Sequence, residues 1–538
     1  MKGLLSIMKS LKLLLVAPFA IGALSALTSC GNARFIPGSP DTDKIDVTLD
    51  TKGVTITMWS GFGSDMSKCL EDRLEEFTAK TGIIVKHESK SGYPNLLKAI
   101  NLASTSGSFP NIANGYPDHF ASYVKSNILL RLDGLLENDA KRGEVEGAYT
   151  QNGKRFGADG IKLMDYEDFY DDYVVENETL EFKEDGSGYI LGVPFNKSTE
   201  EMVYNADLFD WAAKQDAWKD KIFVPKTWAE VKSVGLAVKE LVGPLFKTAE
   251  ADGKILADNG NVYSTTAEVE AANAKIVMNM TNVLATDFRP FTYDAGANLF
   301  ITLVRQYGGQ YTEVDKTKTG RGYAVFDSDE TRAALTMLKD LFDTGIAAIP
   351  SFYNELYCSN AFKAYKSVMN VGSTAGLANI TSNAIKTKIA PIPYKDADHK
   401  YVISQGTSLG LFNKGTDKQK LAAWKLMVYL SQQDNGQFAA DTGYYPTCDY
   451  SYNSDGYQEY LDSTVKSDTD KLRLASAEVN NNEYVENHWN KFVDPGFRGS
   501  ADIREQVELI PGYLMTNTYD VQGTIDAIYR TISDYIKD

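Results

Sequence analysis

The sequence is short of the residues from which catalytic and metal sites are built. Histidine occurs four times in 538 residues, at His87, His119, His399 and His488, and none has a partner at metal-ligand spacing. Cysteine also occurs four times, with no CxxC pair and no Cys/His cluster. That excludes a zinc-finger or disulfide-stapled scaffold. The zinc-protease and P-loop patterns are missing, and Gly372-Ser373-Thr374-Ala375-Gly376 has Thr where a serine nucleophile would stand. Positive charge is in deficit, at 55 Lys and Arg against 72 Asp and Glu, for a formal charge of −17. Such a surface repels nucleic acid and anionic headgroups, so neither is an expected partner. The apolar run from Leu13 to Leu27 is broken by Pro18, Gly22 and Ser25 and falls short of the roughly 20 residues of a spanning helix. The expectation is a protein without cofactor or metal and not an enzyme. With so many carboxylates, some pair at glycosidase spacing arises by chance, so a surface-tethered glycoside hydrolase stays as an alternative.

What is present starts with the N-terminus. Lys2, Lys9 and Lys12 flank the apolar run, and no acidic residue precedes residue 30. A basic flank, a short apolar core and small residues predict a secretory signal over residues 1–29. Leu27-Thr28-Ser29-Cys30-Gly31 then resembles a bacterial lipobox, which predicts lipidation of Cys30 and attachment to the membrane through lipid alone. The plainer alternative is an ordinary signal with an incidental cysteine. Removing residues 1–29 takes away three lysines and no acid, moving the charge from −17 to −20. Residues 30–50 carry Gly, Pro, Ser and Asp without apolar period and predict a flexible tether. Cys69, Cys358 and Cys448 then remain, an odd number.

The rest has ordinary globular composition, 43% hydrophobic, and enough length for two or more domains. Val54 to Trp59 alternates and predicts a strand. Leu70, Leu74 and Phe77 fall at helical spacing up to Gly82, and Ile83 to His87 predicts a second strand. Strand, helix and strand in about 35 residues make a βαβ unit, hence a parallel sheet faced by helices. Pro225-Lys226-Thr227-Trp228-Ala229-Glu230 holds a capping box. Helical stripes follow over Thr331 to Thr344, Leu421 to Leu430, and at Ile525, Ile528, Ile532, Tyr535 and Ile536. Two polar insertions, about 138–188 and 247–272, are placed to reshape a cleft mouth.

Candidate binding groups come from this layout. Gly372 to Gly376 lies between a predicted strand, Ser367 to Val371, and a predicted helix from Leu377, so it offers free amides and hydroxyls, or else is a plain capped turn. Trp59 ends a strand and is a candidate ligand wall. Trp228 and Trp424 sit in amphipathic patterns and are expected in the core. Tyrosine, with 31 copies, supplies flat faces with a hydroxyl, a pairing suited to sugar rings.

Segments along the whole mature chain resemble the extracellular solute-binding proteins of ABC importers, in the group that binds sugars and sn-glycerol 3-phosphate. They run in order from Ile56-Thr57-Met58-Trp59-Ser60 and Phe77 to Ile83, through Phe109 to Ala113, Val193 to Thr199, Tyr204-Asn205 and Pro225 to Trp228, to Gly406 to Leu409, Ala422-Ala423-Trp424 and Thr442 to Pro446. The resemblance implies an α/β fold of the two-lobed, type II periplasmic-binding-protein kind, with hinge crossings near Phe195 to Thr199, Tyr401 to Gly406 and Asp434 to Gly436. Lobe 1 is then 51–196 plus 404–434, and lobe 2 is 197–403 plus 435–538. It implies a small polar solute, sugar or glycerol phosphate, ABC permease subunits as partners, and a monomer on the outer face of the membrane. Carried over residue by residue, it makes Ser198, Ser373, Thr374, Gly406 and Tyr444 ligand contacts and Arg504 a phosphate partner. Pro94 stands near where the group has a glutamate for glycerol hydroxyls, and Asp502-Ile503 replaces the usual glycine before the arginine, so the ligand itself stays open. A non-transport surface scaffold is the remaining alternative.

Overall fold

The computed structural model describes residues 38–317, 321–464, 466–485 and 487–533. The signal segment, Cys30, Tyr535 and Ile536 lie outside the described residues. The first βαβ unit is the strand Thr55–Ser60, the helix Ser64–Thr81 and the parallel strand Ile84–Ser89. Ile56 and Met58 share a core with Leu70, Leu74 and Phe77, so strand and helix periods meet on one apolar surface. Gly82 ends the helix at φ 72°, a left-handed conformation that a Cβ disfavours.

Two five-stranded sheets organise the described chain. The first runs Ile84–Ser89, Thr55–Ser60, Ile112–Gly115, Gln405–Leu411, Val193–Ser198; the second runs Ala347–Ala348, Phe291–Tyr293, Met369–Ser373, Glu200–Asn205, Thr387–Ala390. Each has its own core. Ile56, Leu409 and Trp424 lie in the first, and Met202, Val231, Phe291, Leu338, Met369 and Ile525 in the second. The chain leaves the first sheet at Ser198 and enters the second at Glu200, so Thr199 is one crossing. Ser404 is another, between the strands Tyr401–Ile403 and Gln405–Leu411.

The third crossing lies further along than the expected Asp434 to Gly436. Phe438 of the helix Asn435–Thr442 stacks on Phe195 at 4.9 Å, and Cys448 is buried in the first core. The chain joins the second core only with Leu472 of the helix Asp468–Val479. Phe438 and Cys448 need apolar cover, and the first lobe supplies it. The tether also differs from expectation over residues 38–50. Ile45 and Val47 are buried in the first core, Ser39 N donates to Glu181 Oε1 at 2.7 Å, and Thr42 Oγ1 donates to the Arg131 carbonyl at 2.7 Å. Alternating Ile45, Val47 and Leu49 carry a strand-like apolar set that composition alone conceals.

Thr227 and Glu230 form the capping box of the helix Trp228–Val242. Trp228 and Trp424 are both core residues, and their indoles donate to Gln306 Oε1 at 2.6 Å and to Asp139 Oδ1 at 2.7 Å. The two insertions part ways. Residues 138–188 lie against the first lobe and bring Glu176 to the interlobe cleft. Residues 247–272 instead build a small sheet with Ile276–Asn279, around Ile255, Ala257 and Val269, and none of them lines the cleft. Cys69, Cys358 and Cys448 are all unpaired.

Candidate functional site

A cleft of about 740 Å³ opens where the chain crosses between the lobes, with Asn196, Ser198, Glu200, Ser404 and Gly406 among its lining. Gly406 has φ 102°, and a Cβ there would come within 2.0 Å of the Asn196 carbonyl oxygen. Only glycine lets these two backbones meet at this point.

The wall from the first lobe is aromatic. Tyr93 opens the helix Tyr93–Ser104 and Tyr116 precedes the helix Pro117–Lys125; their rings lie 4.9 Å apart. Asn196 Nδ2 donates to Tyr93 Oη at 3.1 Å. The Tyr444 ring is parallel to Phe438 at 6.2 Å. Burial, reinforced by the neighbouring phenols, raises the pKa of Tyr93 and of Tyr116, and burial raises that of Tyr444. All three are therefore neutral hydroxyls with flat apolar faces.

The wall from the second lobe is polar. Glu200 accepts from Tyr293 Oη and from Asn298 Nδ2, the latter at 2.9 Å, and burial lifts its pKa to about 7. Asp294 accepts from the Cys358 amide at 2.7 Å, and Glu508 from the amides of Gly296 and Ala297 at 3.0 and 2.6 Å. Arg504 donates to Asn298 Oδ1 and meets Asp494 Oδ2 at 3.4 Å, with its side chain 32% exposed. Burial raises Asp494 to about 6 despite the pull of Arg504. Six carboxylates line the cleft: Asp118, Glu176, Glu200, Asp294, Asp494 and Glu508. Arg504 is the one cationic side chain of the lining among the described residues. Glu176 is bonded to Lys197, which is fully buried.

Of the residues expected at the ligand, Ser198, Ser373, Gly406, Tyr444 and Arg504 all line this cleft. Ser373 Oγ accepts from the Ala375 amide at 3.3 Å, so it also caps its turn. The helix after that turn is only Leu377–Ile380, too short to build a strong positive end. Thr374 is not in the lining. It is 1% exposed, and its Oγ1 accepts from the Thr199 amide at 3.3 Å, which pins the first crossing. Trp59 is also elsewhere. Its strand points Ile56, Met58 and Ser60 one way and Thr57 and Trp59 the other; the indole packs against the small core that includes Leu96 and Ile100, with Lys90 Nζ 3.8 Å from its ring centroid. Tyr93, Tyr116, Asp118, Glu200, Asn298, Tyr311 and Asp494 also line the cleft and are not among the residues that the sequence singles out. Tyr93 alone had a signal, since it adjoins the noted Pro94.

Comparison with protein families matches residues 72–463 to the family described as bacterial extracellular solute-binding protein. Comparison with curated proteins gives no match. Among solved structures, the chain is similar to UgpB from Mycobacterium tuberculosis in complex with glycerophosphocholine, at 17% identity and TM-score 0.61, covering 90% of this chain and 98% of that one. It is similar to an ABC substrate-binding protein from Listeria monocytogenes in complex with cycloalternan, at 17% identity and TM-score 0.59, covering 89% and 99%. The GacH receptor of Streptomyces glaucescens, solved unliganded and with acarbose, gives 16% identity and TM-score 0.58 over 89% and 99%. At these identities the likeness establishes a shared fold.

Proposed function

The chain belongs to the bacterial extracellular solute-binding proteins, and on that premise we propose that it is the substrate-binding component of an ABC importer for a carbohydrate-class solute. It works outside the cytoplasm, held by lipid on Cys30, as a monomer. The two lobes close on the solute and present it to the permease, leaving it chemically unchanged. No helix among the described residues is long and apolar enough to cross a membrane.

The carrying observation is the make-up of the interlobe cleft: tyrosine faces chiefly from the first lobe, carboxylates from both lobes, and Arg504, the one cation of the lining among the described residues, already engaged by Asp494 and Asn298. Sugar rings stack on such faces, and their hydroxyls donate to such carboxylates. Solved structures of this fold hold cycloalternan, acarbose and glycerophosphocholine, which supports the same solute class. Thermal shift against neutral saccharides and glycerol phosphates tests the reading. A specific solute at 100 times its Kd stabilises by about 2.7 kcal/mol. A flat response to the whole panel contradicts it and favours a surface scaffold, whereas new reducing ends from an oligosaccharide favour a hydrolase.

A further inference from the structure

One corner of the cleft holds polar atoms with nothing to bond. Tyr311 Oη, Thr312 Oγ1 and Asp494 Oδ1 are buried without a hydrogen-bond partner among the described residues, and all three residues line the cleft. Leaving one such atom unpaired costs about 1–3 kcal/mol. These three, with Ser404 Oγ at the crossing as a fourth, sit on the lining, where a solute can complete their bonds.

The corner is rigid. Tyr311 is 2% exposed, and its ring is held by Phe300 at 6.1 Å and Phe326 at 5.9 Å. Thr312 is 1% exposed and starts the short strand Thr312–Val314. Arg504 is fixed by Asn298 and Asp494, and Asn298 is fixed in turn by Glu200. Tyr311, Thr312, Asp494, Arg504 and Asp118 all line the same cleft.

We propose that this corner is a subsite for two neighbouring uncharged hydroxyls of a carbohydrate or polyol, with Asp494 accepting from one, Arg504 donating to the other, and Tyr311 and Thr312 completing their bonds. The proposal rests on the carbohydrate reading and narrows it.

A hydroxyl both donates and accepts, so a diol satisfies a carboxylate and a guanidinium side by side. A phosphate offers acceptors. It bonds Arg504 well but leaves Asp494 Oδ1 buried and unpaired against a like charge, with Asp118 adding to the repulsion. An ammonium satisfies Asp494 but sets a cation against Arg504. Arg504 is thus a donor within a neutral clamp, in place of the phosphate partner that the family resemblance suggested.

The test is calorimetry with maltose, maltotriose, glycerol, inorganic phosphate and glycerol 3-phosphate on the wild-type chain and on Tyr311→Phe and Asp494→Asn. Both variants keep side-chain volume, and unfolding of the solute-free proteins checks their folding. The expected result is binding of a neutral saccharide or polyol that weakens more than tenfold in each variant, with no heat from either phosphate. Unchanged affinity for that neutral solute in both variants overturns the subsite and leaves the carbohydrate reading standing. Binding of glycerol 3-phosphate that is lost in Arg504→Ala and kept in Asp494→Asn overturns it in favour of a phosphate clamp. Silence from every compound contradicts the carbohydrate reading itself, and the subsite falls with it.

Discussion

The two walls of the cleft are built on opposite plans. On the first-lobe side, Tyr93 is bonded to Asn196 and stacked against Tyr116, while Tyr444 rests on Phe438. On the second-lobe side, Tyr311, Thr312 and Asp494 keep buried atoms without partners. The first wall is a finished surface that supplies area; the second is an unfinished network that supplies direction. A shape-tolerant aromatic face and a demanding polar corner divide affinity from specificity, because unmet buried bonds penalise the wrong solute more than a misfitted ring does.

Four changes probe this division, from the largest expected effect downward. Lys197→Met leaves Glu176 buried in the first-lobe wall without its cation, and loss of one partner of a buried pair costs about 3–5 kcal/mol. Urea unfolding should show that loss, and adding Glu176→Leu should recover most of it. Full stability in the single variant would mean that this wall does not depend on the pair.

Tyr444→Ala removes an aromatic face and should weaken every ring-bearing solute about tenfold, corresponding to about 1.4 kcal/mol, without reordering the solutes. A changed ranking in a calorimetric panel would place specificity on the aromatic side and break the comparison.

The third probe is pH. Burial holds Glu200 near 7 and Glu201 near 8 against an ordinary 4.5, so the folded chain keeps protons that the unfolded chain has released. Stability from these groups is therefore greatest at low pH and falls as pH rises from about 4.5 to about 8. The melting temperature should be higher near pH 5.5 than near pH 8.5, and Glu201→Gln should flatten the slope. A melting temperature that rises over this window would contradict the assignment. The smallest effect belongs to Trp59→Phe, which should leave solute affinity within about twofold, since the indole lies outside the cleft lining.

Local order was readable in the chain. The βαβ start, the Thr227–Glu230 box and the buried faces carrying Trp228 and Trp424 follow from spacing that any window of residues displays. Ser198, Ser373, Gly406, Tyr444 and Arg504, which line the cleft, are named by the family resemblance and not by their spacing. The failures share a cause. Trp59 stands at a strand's end, while its facing depends on strand phase relative to helices that follow later. Thr374 belongs to the turn that the resemblance marks for the ligand, while its hydroxyl goes to Thr199, 175 residues away in sequence. The polar corner joins Asn298, Tyr311, Asp494 and Arg504 from separate stretches of one lobe, and no local pattern brings them together. The composition of residues 38–50 predicts a tether, although Ile45 and Val47 enter the first core.

The most direct test of the central claim is small-angle X-ray scattering from the mature chain, with and without the neutral saccharide that raises its melting temperature most. The account predicts a smaller radius of gyration at saturation, reversed on dialysis with the saccharide recovered intact. An unchanged radius at saturating solute would contradict closure of the lobes, and recovery of a cleaved saccharide would contradict the binding role altogether.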